Sequence, residues 1–214
     1  MKSQMKSVFS RAGFSTVYDV EFCDKMAILE MMRKQTERMI DCLKGYAKDC
    51  QGSSMNRYEK LGEMIGNYGS KCPDSDVSGV LIAVKGNFEN VGRIHRAFSQ
   101  TIMDEYVKTL DLWLKTEIKA LRDSVAKLNK AKSAMDSAVN RARGKEAEQE
   151  LQDKKTAAEA EHMAQFEATS AALNTLSAEQ EKQYKLWISF MEKEKKFFQD
   201  LNDEHNNIAK AIPF

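Results

Sequence analysis

Apolar side chains recur mostly every three or four positions from Phe98 onward, through Ile102, Tyr106, Leu110, Trp113, Ile118, Leu121, Val125, Leu128, Met135, Val139 and Ala142. A second series runs through Leu151, Ala158, Phe166, Leu173, Leu176, Tyr184, Trp187, Met191, Phe198, Leu201, Ile208 and Ile212. Neither segment alternates with the period of two that a half-buried strand shows. A repeat sustained near about 3.5 residues instead predicts two long helices packed side by side as a coiled-coil-like antiparallel pair. Glycine and proline, the strongest helix breakers, are distributed to match. Between residues 93 and 212 only Gly144 appears, inside "SAMDSAVNRARGKEAEQEL", so the chain is expected to reverse there.

The first third is also helical in pattern. Val20, Cys23, Met26, Ala27, Met31, Thr36, Met39, Ile40 and Leu43 give an amphipathic stretch expected to end near Gly45. A weaker helix through Tyr58, Leu61, Met64 and Ile65 runs into the cluster Gly66, Gly69 and Pro73. "CPDSDVSGV" then supplies a loop, with Asp74, Ser75 or Asp76 as the N-cap of the next helix. The predicted organisation is an N-terminal amphipathic segment over 1–16 and a domain over 17–214. Its helices span about 17–68 (interrupted), 76–143 and 146–212. The fold class is all-α, an elongated antiparallel three-helix coiled-coil bundle.

Composition narrows the function classes. The chain has 214 residues, 42% hydrophobic and 30% charged, enough apolar side chain for a core. No apolar run approaches the roughly 18 residues that span a bilayer. Cys23, Cys42, Cys50 and Cys72 form no C-x-x-C pair and follow no apolar signal peptide, which fits reduced thiols in a cytoplasmic protein. His95, His162 and His205 are scattered, without metal-ligand spacing, so no metal or other cofactor is expected. Phosphate-cradling glycine loops, G-x-S-x-G, H-E-x-x-H and paired Glu-x-x-His are all missing, and the chain does not read as an enzyme. Basic residues are not interleaved with aromatics in a nucleic-acid pattern.

The last helix carries more large apolar groups than one antiparallel pair needs: Trp187, Ile188, Phe190, Met191 and Phe197. Either the first helix covers them, or they also help form a symmetric dimer in which a thin bundle gains apolar burial.

The run "LRDSVAKLNKAKSAMDSAVNRARGKEAEQELQDKKTAAEAEHMAQFEA" and the later "LWISFMEKEKKFFQDLNDEHNNIAKAI" resemble BAR domains of the amphiphysin and endophilin (N-BAR) type. Met135, Asp136, Ser137 and Ala138 match the family's hydrophobic-aspartate-x-alanine element ahead of a basic tip turn. The glycines between 45 and 69 are numerous for that family's first helix, and the turn at Gly144 is short. The resemblance implies a crescent-shaped homodimer, peripheral to anionic membranes, that binds them through its concave face and tips in endocytosis or membrane remodelling.

Charge patterning bears on that implication. The formal net charge is only +1, so any attraction to anionic lipid depends on where charge sits. Residues 115–145 hold nine basic side chains, Lys115, Lys119, Arg122, Lys127, Lys130, Lys132, Arg141, Arg143 and Lys145, against Glu117, Asp123 and Asp136, a local balance of +6. Lys154 and Lys155 lie beside them if the chain doubles back at Gly144. The opposing expectation is that Glu146, Glu148, Glu150 and Asp153 neutralise the cluster. At the N-terminus, Met1, Met5, Val8, Phe9 and Ala12 share one helical face flanked by Lys2, Lys6 and Arg11, as a membrane-inserting helix would. A mitochondrial-type presequence and an inert or core-packed segment share that composition. Two function classes follow: a membrane-curvature module, or a helical adaptor dimer that binds a small GTPase, cytoskeletal or endocytic proteins without touching lipid.

Overall fold

Asp19 starts the first helix by accepting the backbone N–H of Phe22 at 2.8 Å on its carboxylate, the N-cap bond that satisfies an otherwise orphaned donor. The computed structural model describes residues 6–10, 13–51 and 54–211. Strands β1 (Lys6–Ser10) and β2 (Gly13–Val17) precede α1 (Val20–Gln51), α2 (Arg57–Gly69) and α3 (Ser75–Thr101). The helix beginning with α3 continues through a π-helical stretch Ile102–Val107, α4 (Lys108–Trp113), a second π-helical stretch Leu114–Ile118 and α5 (Lys119–Ala142). Then come α6 (Gln149–Leu173) and α7 (Leu176–Ala211). The all-α class stands, with one N-terminal hairpin added.

Several expected boundaries move. Gly45 does not end α1, which runs to Gln51; one helical glycine costs only about 1 kcal/mol, and packing overrides it. The third predicted helix breaks at Asn174 and Thr175, with no glycine or proline to announce it. Asp74 is the N-cap of α3, accepting from the N–H groups of Asp76 and Val77 at 2.9 and 3.1 Å. The N-terminal segment, expected as a helix, pairs as an antiparallel hairpin with Val8 opposite Ser15 and Phe9 opposite Phe14. Val8, Phe9, Phe14, Thr16 and Val17 are β-branched or aromatic and suit strands. Met1, Met5 and Ala12 of the expected inserting face lie outside the described residues.

The chain divides into two compact units, Met1–Thr36 with Leu112–Lys182, and Glu37–Asp111 with Gln183–Phe214. In the first, α5 and α6 form an antiparallel hairpin whose core includes Leu121, Leu128, Phe166 and Leu173, joined by Phe22 and Leu29 of α1. Full burial of each such side chain stabilises by about 1.5–3 kcal/mol. Polar contacts fix the register: Ser124 Oγ and Thr169 Oγ1 lie 2.9 Å apart, and Asp136 accepts from the N–H and hydroxyl of Thr16 at 3.2 and 2.8 Å, tying β2 to α5. Burial, with the charge of Asp136 next and Cys23 after it, pushes the Tyr18 phenol up to about 12, and its hydroxyl lies 3.1 Å from Nε2 of the buried His162.

In the second unit, Gly62, Gly66 and Gly69 put the backbone of α2 close against α3. A Cβ at Gly62 would lie 2.9 Å from Phe88 Cβ, and one at Gly69 would lie 2.8 Å from Leu81 Cβ. Asn56 caps α2, exchanging hydrogen bonds with Glu59 in a capping box, and donates its Nδ2 to Gly92 O at 2.8 Å. Phe98 stacks on Phe197 at 4.3 Å, and Phe190 meets the Tyr106 ring edge-on at 5.1 Å.

Candidate functional site

Gly144 supplies the reversal the sequence predicts. Its φ of 71° is a left-handed conformation, and among the described residues it is the one glycine with positive φ. Arg143, the C-cap of α5, is extended at φ −65° and ψ 127°, and Lys145 N–H returns to Ala142 O at 3.1 Å. Ala142 to Lys145 is therefore a type II turn, in which φ above zero at the third position favours glycine. Gln152 of α6 reaches back with its side-chain Nε2 to Ala142 O at 3.3 Å and Lys145 O at 3.1 Å.

This geometry gathers Arg141, Arg143 and Lys145 at one end of the hairpin, all three exposed. On α5, at about 3.6 residues per turn, Lys119, Lys127, Lys130 and Arg141 fall on one side of the helix. From Lys119 to Arg141 that side extends about 30 Å at 1.5 Å per residue. Lys115 stands further back, exposed in the second π-helical stretch.

Ion pairs qualify the positive surface. Lys119 reaches Asp123 at 3.1 Å, Lys145 reaches Glu148 at 3.3 Å, and Lys155 reaches Glu159 at 3.8 Å, while Lys154 pairs with Glu150. Part of the neutralisation expected from the acidic residues after the turn is thus present. Exposed pairs of this kind contribute only about 0–1 kcal/mol, so their lysines can exchange partners. Lys127, Lys130 and Arg141 are exposed on the same face. Arg122 bonds Glu30 at 2.8 Å, and Glu30 also accepts from Arg33 at 3.0 Å. Burial pushes the Glu30 carboxyl up, but the two arginines outweigh it and hold it below its ordinary value.

Not every expected cation joins this face. Lys132 is half-buried on the other side of α5, with its ammonium 5.3 Å from the centre of the Tyr18 ring. Asp136, which the sequence places ahead of the basic stretch, anchors β2.

The aromatic surplus on the last helix also resolves differently. Phe190 and Phe197, expected at a dimer interface, are buried in the chain's own core against Phe98, Tyr106 and His95. Trp187 is half-buried and packs edge-on against Phe190 at 5.8 Å. Ile188 and Met191 are exposed, and Tyr184 and Phe198, also exposed, extend them into a stripe at heptad-like spacing. Two of the five expected residues therefore remain on the surface, and the stripe gains two that the sequence reading placed on the helix's internal face.

Among the described residues no group of three or more His, Cys, Asp and Glu side chains is placed to hold a metal ion. No described helix is long and apolar enough to cross a membrane. Gln152 escapes sequence reasoning, because a glutamine on an exposed helix carries no signal until the turn it caps is known.

Comparison with known proteins adds a family. The family model of the BAR domain matches residues 1–212. No curated protein matches the chain. Among solved structures it is similar to the EFC/F-BAR domain of Drosophila Syndapin/PACSIN, at 16% identity over 90% of this chain and 76% of that one, with a TM-score of 0.29.

Proposed function

The chain belongs to the BAR domain family, and on that premise we propose that it is a membrane-curvature module that binds anionic phospholipid surfaces through the basic end of its α5–α6 hairpin. The observation that carries this reading is the exposure of Arg141, in the last turn of α5, together with Arg143 and Lys145 on the reversal that Gly144 permits. Lys127 and Lys130 on the adjoining face of α5, with Lys119, Lys154 and Lys155 in exchangeable ion pairs, extend the contact. Each Lys or Arg close to an anionic leaflet contributes about 1 kcal/mol. A homodimer doubles the number of cations, and the exposed stripe Tyr184, Ile188, Met191 and Phe198 on α7 is its proposed seam. The working location is the cytoplasmic surface of a membrane, in endocytosis or other remodelling.

The test is co-sedimentation with phosphatidylserine-rich and neutral vesicles at low and high salt, with electron microscopy of the pellets. Binding to anionic vesicles alone, weakening steeply with salt, is expected. Glutamate at positions 141, 143 and 145 should abolish it while helicity and oligomeric state persist. Binding to neither vesicle would sink the reading and favour the helical adaptor that contacts proteins alone.

A further inference from the structure

The basic turn is braced by a side chain that carries no charge. The last carbonyls of a helix have no intrahelical donor and need partners from elsewhere. At the end of α5, the Ala142 carbonyl accepts from Lys145 N–H at 3.1 Å, which closes the first reversal. The Lys145 carbonyl accepts from Glu148 N–H at 3.1 Å, which closes the second. Gln152 donates its Nε2 to both carbonyls, at 3.3 and 3.1 Å, while its own backbone N–H bonds Glu148 O at 3.2 Å within α6. One residue thus joins the two reversals to each other and to the helix that follows. Arg143 and Lys145 flank Gly144 inside the braced segment, and Arg141 sits in the last turn of α5 just before it.

We propose that Gln152 is the positioning residue of the membrane-binding turn: its amide holds Arg143 and Lys145 in fixed relation to Arg141, so that the three cations meet an anionic surface together. This inference rests on the reading of the turn as the membrane contact. Gly144 permits the reversal but does not restrain it, since glycine has the widest backbone freedom of any residue. Without the amide, two carbonyls lose a donor and the two reversals move separately. The cost of ordering them is then met at the membrane and subtracts from binding.

The experiment uses the full chain and vesicles of phosphatidylcholine with and without phosphatidylserine, titrated at several salt concentrations. Gln152→Leu removes both donors and leaves every charge in place. Gln152→Met repeats the change with an unbranched chain, and circular dichroism with thermal melting checks that each variant folds. Gln152→Leu should weaken binding to the anionic vesicles by about five-fold, a coupling typical of residues in one network, with the salt dependence unchanged. The triple variant Arg141→Ala, Arg143→Ala, Lys145→Ala should weaken binding further and flatten the salt dependence. Adding Gln152→Leu to the triple variant should change nothing more, because the cations it positions are gone. Full binding by both Gln152 variants, alongside a weakened triple variant, overturns the role of Gln152. So does the same five-fold loss in the triple background, which would mean that Gln152 acts somewhere other than through the turn. A triple variant that binds as tightly as the original chain overturns the membrane reading itself.

Discussion

Trp113 donates its indole Nε1–H to Glu179 Oε2 at 2.7 Å, and both residues are buried. The other carboxylate oxygen accepts from Lys182 at 2.7 Å. Burial pushes the Glu179 carboxyl up, but the hydrogen bonds from Lys182 and Trp113 and the charge of Lys182 outweigh it and leave it below its ordinary value. Trp113→Phe removes the donor and leaves a buried carboxylate oxygen without its partner, a loss of about 1–3 kcal/mol. For a chain of this size, thermal melting should fall by about 2–4 °C for each kcal/mol. Glu179→Gln keeps an oxygen for the indole and should melt above Trp113→Phe; the reverse order would show that the hydrogen bond contributes less than the packing of the rings.

The helical glycines of α1 and α3 separate by what surrounds them. A Cβ at Gly92 would run into the Glu59 side chain, which cannot move aside because it accepts from Asn56 N–H at 2.9 Å and Arg96 Nη1 at 2.7 Å. Gly92→Ala should destabilise by about 1–3 kcal/mol, as overpacking does. Gly45 lies inside α1, and beyond its own helix backbone no described residue comes within 4 Å of where its Cβ would sit. Gly45→Ala should stabilise by about 0.5–1 kcal/mol. Denaturant midpoints of the two variants should move in opposite directions, and a shift of both the same way would contradict the packing described.

Two histidines give the fold an acid limit. Burial pushes the His95 imidazole below its usual 6.5, with the neighbouring His205 adding to the effect. His95 packs between Tyr58 at 4.5 Å and Phe197 at 5.0 Å, and its buried Nε2 has no hydrogen-bond partner among the described residues. Burial likewise lowers His162, against the pull of Asp136 and with the push of Lys132. A lowered folded-state value means that the unfolded chain binds protons first. The stability from keeping these rings neutral is therefore full above about pH 6.5 and declines as pH falls through the folded-state values. Melting temperature should drop between pH 7.5 and pH 5, and His95→Phe, which keeps a ring in an aromatic site, should reduce that drop. An unchanged pH dependence would remove His95 from this account.

How much of this could be read from residues depends on the scale of the feature. The spacing of breakers announces long helices and the reversal at Gly144, because no other glycine or proline lies between residues 93 and 212. Asp74 is legible as a cap because its side chain acts on its own neighbours. The π-helical stretches at Ile102–Val107 and Leu114–Ile118 are not legible, since each extends an otherwise regular helix with no residue type of its own. Gly62, Gly66 and Gly69 look like breakers and prove to be a contact face for α3, which only the partner helix reveals. The N-terminal pattern of Val8 and Phe9 suits a helix or a strand equally over so few residues, and strand pairing decides it.

The exposed stripe on α7 makes the last prediction. Ile188 is 45% exposed and Met191 59% exposed, whereas Phe190 between them is 8% exposed and packs on Tyr106 and Phe98. If the stripe is a seam between two copies, Ile188→Lys with Met191→Lys should halve the molar mass measured by sedimentation while the monomer melts at nearly its original temperature. Phe190→Ala acts on a different surface. It opens a cavity in the core of its own chain and should cost about 3–5 kcal/mol. Its effect should appear first as a lower melting temperature, with the sedimenting species unchanged below the melt. A doubly substituted chain that keeps its original mass would place the seam elsewhere, and a Phe190→Ala chain that dissociates without losing stability would return that residue to the interface.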